Sequence, residues 1–306
     1  MRLLKMNATQ CQALFIKYEN ITVLALVLVS LLLIFTLEKK AQDYTIERKF
    51  RYSFILQNKT NQLLNNVDFW VYAPVAETSN QKVINISASH EYELLSDKLG
   101  NQVLHFTFSK FAPFASKVIK LETDLLLSEM PVNKKLAFKK EFIAAEKYVE
   151  ANHPKISQIA QQFTDATEIT NARNALEWVH QNVKYAGYIE DDRGALYALK
   201  TRKGDCTEYM YLYTALMRNK GIPVRNIGGY VYNEDKVLKA EDFHNWSEVY
   251  LDGKWQVVDP QNGIFLEKQN HYVAFRIITN KVASKLAPSN TQRFAISNPD
   301  ISVKMN

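Results

Sequence analysis

The stretch FHNWSEVYLDGKWQVVDPQNG, Phe243 to Gly263, decides the fold of the second half of the chain. Two runs rich in β-forming residues flank Asp252-Gly253, the dipeptide preferred in a two-residue type I′ hairpin turn. With that dipeptide as the loop, the register brings Trp246 opposite Asp259. Side chains alternate along a strand, so His244 lies on the same face, diagonal to Asp259. The sequence therefore predicts an imidazole and a carboxylate within reach of each other on one hairpin.

A thiol lies upstream in RKGDCTEYMYLYTALMRNKGIPVR, residues 202–225. The apolar spacing predicts a helix over 207–220, closed by Gly221 as its C-terminal cap. Cys206 is thus expected at a helix N-terminus, where unpaired N–H groups and the helix dipole favour the thiolate and can hold an oxyanion. A lone thiol is more often a small buried hydrophobe, and a hairpin histidine is more often an ordinary surface residue. The combination of all three groups favours a nucleophile, a base and an orienting carboxylate.

Four phrases resemble the core pattern of the transglutaminase-like superfamily, the papain-type Cys-His-Asp thiol enzymes, in a bacterial membrane-anchored form. They are Gly204-Asp205-Cys206, MRNKGIPVRNIGGYVY, His244-Asn245-Trp246 and KWQVVDP, within a resemblance that spans about Ile159 to Gly263. The resemblance implies Cys206 as the nucleophile, His244 as base and acid, and Asp259 as the orienting carboxylate.

The same resemblance implies an upstream side chain that completes the oxyanion hole. Tyr185 is the first candidate and Trp178 the second, while Trp246 is a further candidate for the oxyanion or substrate site. Many bacterial relatives have alanine between the His and the Trp, where this chain has Asn245. This departure bears on local packing only.

The resemblance implies an acyl-enzyme on amide or ester bonds of a peptide or protein. Water would resolve it in a hydrolase (a peptidase or amidase), and an amine would resolve it in a transglutaminase-type acyltransferase. The alternatives are a catalytically idle binding or scaffold module for a cell-envelope partner, and a β domain that carries the function itself. We expect no cofactor and no metal, since the chain has two cysteines and no loop typical of a calcium site.

The rest of the chain predicts an α+β protein with an appendage. From residue 43 to 127 short alternating runs predict an all-β sandwich of about seven strands. Its histidines, His90 and His105, have no visible partner in the sequence and are interpreted as surface or hydrogen-bonded residues rather than as a metal site. Residues 128–153 are predicted as a connecting helical segment, and 154–306 as the catalytic domain, whose last forty residues add strands to it.

The N-terminal region has the strongest change in composition. Ile21–Leu37 has seventeen residues without a charge, which is long enough for a single-pass transmembrane helix. Residues 1–20 are then a cytoplasmic tail, and the folded region lies outside the cytoplasm. Such a layout is typical of a bacterial inner-membrane protein that faces the periplasm. The net charge of +6 is spread among 32 acidic residues, so nucleic-acid binding is not expected.

Overall fold

The first part of the described chain consists of strands, as its alternating pattern predicts. The computed structural model describes residues 44–288 and 292–306. Phe50, Tyr52, Phe54 and Leu56 are buried on one face of the first strand, and the residues that alternate with them are more exposed. The strands are β1 (Ile46–Asn58), β2 (Leu64–Ala73), β3 (Gln81–Ala88), β4 (Glu93–Ser96), β5 (Gln102–Phe111) and β6 (Ser116–Leu127).

The second part mixes helices with strands. The helices are α1 (Lys139–Ile143), α2 (Pro154–Ala160), α3 (Glu168–Asn182), α4 (Ala195–Thr201) and α5 (Cys206–Asn219), with 3-10 turns at Ala240–Asp242 and Gln269–His271. The strands are β7 (Lys184–Tyr185), β8 (Lys203–Gly204), β9 (Val224–Val231), β10 (Lys236–Val237), β11 (Phe243–Leu251), β12 (Lys254–Asp259), β13 (Ile264–Phe265), β14 (Tyr272–Ile278), β15 (Phe294–Ile296) and β16 (Ile301–Met305). Helix α5 is buried almost throughout and packs against β9 and β11, so it is the centre of this part of the fold.

An antiparallel sheet in the order β13-β12-β11-β9-β14 carries the predicted hairpin. Leu251 pairs with Lys254, which is the register expected for a two-residue loop. The loop residues Asp252 and Gly253 have φ values of 51° and 77°. Positive φ at both positions is the requirement of a type I′ turn. Gly221, which follows the C-terminus of α5, also has a positive φ, of 77°, and is the C-terminal cap that the sequence predicts for this helix.

Strands from both ends of the chain form the sandwich. One sheet has the order β10-β1-β6-β3, with β16 also paired to β1, and the other has the order β15-β2-β5-β4. From Ile264 onward, β13 and β14 join the sheet of the predicted hairpin, as expected, whereas β15 and β16 pair with β2 and β1 in the sandwich. β16 covers the Phe54–Asn58 end of β1 and satisfies backbone groups that a free edge would expose. This pairing is too distant in sequence for a local pattern to reveal it.

The segment at 128–153 is mostly irregular, which corrects the predicted connecting helix. Within it only Lys139–Ile143 is an α-helix. Its backbone carbonyls accept tertiary hydrogen bonds instead of helical ones: Arg218 Nη1 donates to Ala144 O at 2.8 Å, and Asn219 Nδ2 donates to Ala151 O at 2.8 Å. These bonds attach the segment to the end of α5 and replace those that a continuous helix would make.

The predicted membrane span cannot be compared with the structure, because Ile21–Leu37 lies outside the described residues. Among the residues that are described, every helix is too short or too polar to cross a bilayer.

Candidate active site

Cys206 is the first residue of α5, and acidic residues on both sides of it shape this helix start. Asp205 is the N-cap, with Oδ1 accepting from the Thr207 amide at 2.8 Å. Glu208 Oε2 accepts from the Asp205 amide at 3.1 Å, which completes a capping box. A Cβ at position 204 would lie 2.4 Å from the Cβ of Glu208, so only Gly204 fits there. The Gly-Asp-Cys phrase is thus explained by the cap that presents the thiol.

The same two acidic side chains hold the loop at residues 186–194. The amide of Ile189 donates to Asp205 Oδ2 at 2.9 Å. The amide of Arg193 donates to Glu208 Oε1 at 3.0 Å. Burial raises the pKa of Glu208 to about 7. The loop is therefore attached to the first turn of the helix that begins with the thiol.

A histidine joins the thiol to a carboxylate. Nε2 of His244 donates to Oδ2 of Asp259 at 2.7 Å, and the same imidazole interacts electrostatically with the Cys206 thiol. Asp259 is fully buried, and the side chain of His244 is 14% exposed. The structure brings together the three residues that the hairpin register and the helix start predict.

Asp259 is held by two further residues that the sequence does not single out. Asn262 donates to Oδ2 through its side chain at 2.8 Å and to Oδ1 through its amide at 3.2 Å. The Tyr272 hydroxyl donates to Oδ2 at 3.0 Å. Asn262 lies in the turn that follows Asp259. An aspartate side chain often accepts a backbone N–H in such a turn, and this pattern is the sequence signal that could have identified Asn262. Tyr272 reaches the site from β14, and no local pattern predicts that contact.

Charge and burial act in opposite directions on the pKa values of His244 and Asp259. Burial lowers the pKa of His244, but its hydrogen bond with Asp259 and its interaction with Cys206 outweigh burial and raise the pKa to about 10. Burial favours a raised pKa for Asp259, but the hydrogen bond and charge of His244, with help from Asn262, leave that pKa lowered. An imidazolium beside a carboxylate is therefore the favoured state at neutral pH.

Tyr185 lies beside the thiol and is open to solvent. Its strand β7 pairs in parallel with β8, with Tyr185 opposite Gly204. The residue is 59% exposed. Partial burial and then the charge of Cys206 raise the pKa of Tyr185. The second candidate, Trp178, is packed against the core with the Arg202 guanidinium 4.7 Å from its ring centre.

Trp246 is fully buried, which corrects its assignment as an oxyanion or substrate contact. Its ring lies nearly parallel to that of His244, with 6.4 Å between centroids and 19° between planes. The ring of Tyr272 meets it edge-on at 5.1 Å. A Cβ at Gly229 would lie 2.8 Å from the Trp246 ring and 2.1 Å from the carbonyl of Val273. Trp246 thus supports His244 from the protein interior.

Residues 157–260 match the family model described as the transglutaminase-like superfamily. The matched segment includes Cys206, His244 and Asp259. Residues 157–260 therefore form a transglutaminase-like domain.

Two curated proteins match part of the chain. Kyphoscoliosis peptidase of Homo sapiens is 29% identical over 102 residues, which are 30% of this chain and 15% of that protein. Kyphoscoliosis peptidase of Mus musculus is 26% identical over 143 residues, 44% of this chain and 21% of that protein. The chain thus covers about a fifth or less of the length of either relative.

A solved structure matches most of the chain. It is described as "a Putative Cysteine Protease from Cytophaga hutchinsonii", with a TM-score of 0.57 and 19% identity. The match covers 85% of this chain and 90% of that one, so the shared fold extends beyond the segment that the family model matches.

Proposed function

We propose that the protein is a thiol enzyme that forms an acyl-enzyme at Cys206 on amide or ester bonds. The observation that carries this proposal is one imidazole that is hydrogen-bonded to buried Asp259 and interacts electrostatically with the Cys206 thiol at the start of α5. A nucleophile, a base and a carboxylate that orients the base are the requirements of nucleophilic acyl transfer.

In the proposed acylation the sulfur of Cys206 attacks the substrate carbonyl carbon, and the C–S bond forms as the carbonyl oxygen becomes an oxyanion. The imidazolium of His244 gives its proton to the leaving amine or alcohol, and the C–N or C–O bond breaks. A thioester remains on Cys206. Asp259 stays ionised throughout and stabilises the imidazolium.

In the proposed deacylation, neutral His244 takes a proton from the attacking group. Attack by water releases a carboxylic acid, as in a peptidase or amidase, and attack by an amine forms a new amide, as in a transglutaminase. In both cases the C–S bond breaks and Cys206 leaves as a thiolate beside the imidazolium, which restores the starting state.

For the oxyanion we propose two donors. The amide of Cys206 lies in the first turn of α5, where the helix dipole favours negative charge. The Tyr185 hydroxyl is the side-chain candidate. Its ring is exposed, and it is close enough to Cys206 for the charge of that residue to raise the pKa of Tyr185.

We further propose that the enzyme is anchored in the bacterial inner membrane through Ile21–Leu37 and acts on peptides or proteins in the cell envelope. The support for this location is the uncharged run in the sequence. Protease added to intact spheroplasts should then digest the folded region, and full protection would contradict the proposal.

The acyl-enzyme is tested by mass spectrometry after mixing the full chain with an activated ester such as p-nitrophenyl acetate. We expect a burst of nitrophenol and one acyl group on the peptide that contains Cys206, removable by hydroxylamine. Cys206→Ala should lose both signals. Cys11→Ser, which removes the other cysteine of the chain, should keep them.

Two results would decide against the enzyme. Equal acylation of Cys206 in the native and the urea-unfolded chain would mean that the fold does not activate the thiol. The absence of any burst, with normal folding, would favour the binding or scaffold module. With an active enzyme, comparison of the cell envelopes of a Cys206→Ala strain and its parent identifies the amide bond that changes.

A further inference from the structure

Asn245 lies between His244 and Trp246 on β11, and its side chain points to the opposite face of the strand. That face is covered by α5. Nδ2 of Asn245 donates to Oγ1 of Thr207 at 2.9 Å. Both residues are buried, with exposures of 5% and 8%. A shielded hydrogen bond therefore connects the strand to the first turn of the helix.

This hydrogen bond joins the direct neighbours of the two reacting groups. Thr207 follows Cys206, and Asn245 follows His244. A second side-chain bond across the same interface joins Thr214 to Ser247 at 3.0 Å. That bond is roughly 10 Å further along the helix axis, at about 1.5 Å per residue. Ser247 Oγ also donates to Met210 O at 3.4 Å, one turn beyond Thr207. Of these bonds, the one between Asn245 and Thr207 is nearest to both the thiol and the imidazole.

The packing around Asn245 indicates that stability alone does not account for it. Oδ1 of Asn245 is buried and has no hydrogen-bond partner among the described residues. A buried acceptor without a partner destabilises a fold, and an alanine here would avoid that cost. The amide fits only because Gly228 is opposite, where a Cβ would lie 3.0 Å from Oδ1 and 2.8 Å from the ring of Phe243.

We infer that Asn245 and Thr207 are positioning residues that hold the His244 imidazole and the Cys206 thiol in register before a substrate binds. The inference rests on the proposed function. The two reacting groups lie on separate elements, a strand and a helix, and a small error in their separation weakens both the thiol–imidazole contact and the attack on a carbonyl. The hydrogen bond removes that freedom at the point where the two elements meet.

The test is the rate at which iodoacetamide alkylates Cys206 at pH 6, measured on the full chain in a Cys11→Ser background. We expect Asn245→Ala and Thr207→Val each to slow alkylation by roughly tenfold, because each removes one partner. The double variant should be no slower than either single variant, as for two residues that act through one contact. Thr207→Ser keeps the acceptor and should keep the rate. Near pH 9, where about half or more of any free thiol is ionised, the loss should disappear.

Matched controls come from the second bond of the same interface. Thr214→Val and Ser247→Ala should lower the thermal midpoint and leave the alkylation rate unchanged. Asn245→Ala should do the reverse, with an unchanged or higher midpoint and a lower rate, because it removes the buried unpaired oxygen.

Two patterns would overturn the inference while the proposed function stands. One is a normal rate at pH 6 in Asn245→Ala and Thr207→Val together with slow alkylation in His244→Ala. The other is a rate loss that parallels a loss of stability and appears equally in Thr214→Val. A normal rate in His244→Ala would instead reject the proposed function, and the inference with it.

Discussion

Among the described residues, two histidine–aspartate pairs with similar geometry lie on different sheets. In the sandwich, His105 Nε2 lies 2.9 Å from Asp68 Oδ1, and in the sheet of the hairpin His244 Nε2 lies 2.7 Å from Asp259 Oδ2. In both pairs the two residues are diagonal neighbours on adjacent antiparallel strands. Each imidazole also lies nearly parallel to a tryptophan ring.

The pairs differ in what surrounds them. The side chains of His105 and Asp68 are 21% and 30% exposed, whereas those of His244 and Asp259 are 14% and 0% exposed. Nδ1 of His105 faces Glu93 Oε2 at 3.6 Å, whereas His244 interacts electrostatically with a thiol at a helix start. A His–Asp diagonal is therefore an ordinary way to join two strands. Burial and the group on the other ring nitrogen distinguish the candidate active site.

The largest expected difference between the pairs comes from neutralising each carboxylate. Asp259→Asn should slow turnover of an activated ester by roughly a hundredfold or more, because the amide keeps the shape and loses the charge that stabilises the imidazolium. Asp68→Asn, the matched change in the sandwich, should leave turnover unchanged. Equal turnover in the two variants would make the two pairs equivalent and remove Asp259 from the mechanism.

A thiol can be placed on the sandwich pair. Glu93→Cys, in a Cys11→Ser background, puts sulfur beside His105 and so builds a second Cys-His-Asp set. At pH 6 we expect this thiol to be alkylated about ten times more slowly than Cys206, or slower still, because the pair is more exposed than His244 and Asp259 and no helix start supports an anion there. The two rates are read from the two peptides in one mass-spectrometric experiment. Equal rates would mean that a His–Asp diagonal is sufficient by itself.

A smaller effect is expected from Tyr272, which donates to Asp259. Tyr272→Phe removes one hydrogen bond to the carboxylate and should reduce turnover by about two- to tenfold, as expected for a bond worth about 0.5–1.5 kcal/mol. Tyr213→Phe is the matched control, because that buried hydroxyl has no hydrogen-bond partner among the described residues. A Tyr272→Phe enzyme as active as the Tyr213→Phe enzyme would confine Tyr272 to packing.

The smallest expected difference is in the pH dependence of stability. The pKa of His244 is raised from 6.5 to about 10, so its pairing stabilises the fold fully below about pH 6.5 and is lost as the pH rises through about 10. The pKa of Asp259 is lowered from 3.8, so its contribution is present above about pH 4 and lost as the pH falls further. Between these limits Asp259→Asn should cost about 1–3 kcal/mol of unfolding free energy.

Urea unfolding at pH 6 and pH 10 measures this contribution. The difference in unfolding free energy between the parent and Asp259→Asn should be smaller at pH 10 than at pH 6. The corresponding difference for Asp68→Asn should be small at both pH values, because partly exposed pairs contribute little. A gap for Asp259→Asn that is the same at both pH values would contradict the assigned charge state of His244.

Local patterns were sufficient for the parts of the site that lie close together in the chain. The Asp252-Gly253 turn sets the register that places His244 near Asp259, and the spacing after Cys206 predicts α5. These features depend on neighbours a few residues apart, and the sequence shows such neighbours directly.

Contacts between distant segments could not be read from the sequence. Tyr272 reaches Asp259 from β14, and β16 pairs with β1 across almost the whole chain. His105 has a partner in Asp68 that its own surroundings in the sequence do not suggest. The tertiary hydrogen bonds at 128–153 likewise override a helical pattern. Each of these features depends on packing in three dimensions, which a local period of two or 3.6 residues does not encode.

The most direct test of the account is the pH profile of Cys206 alkylation in His244→Ala and His105→Ala, both in a Cys11→Ser background. We predict that His244→Ala slows alkylation at pH 6 by about a hundredfold, since an unassisted thiol with a pKa of about 8.5 is less than about 1% ionised there. We predict that His105→Ala follows the parent at every pH. Superimposable profiles for the two variants would show that the imidazole of His244 does not activate the thiol and would contradict the central claim.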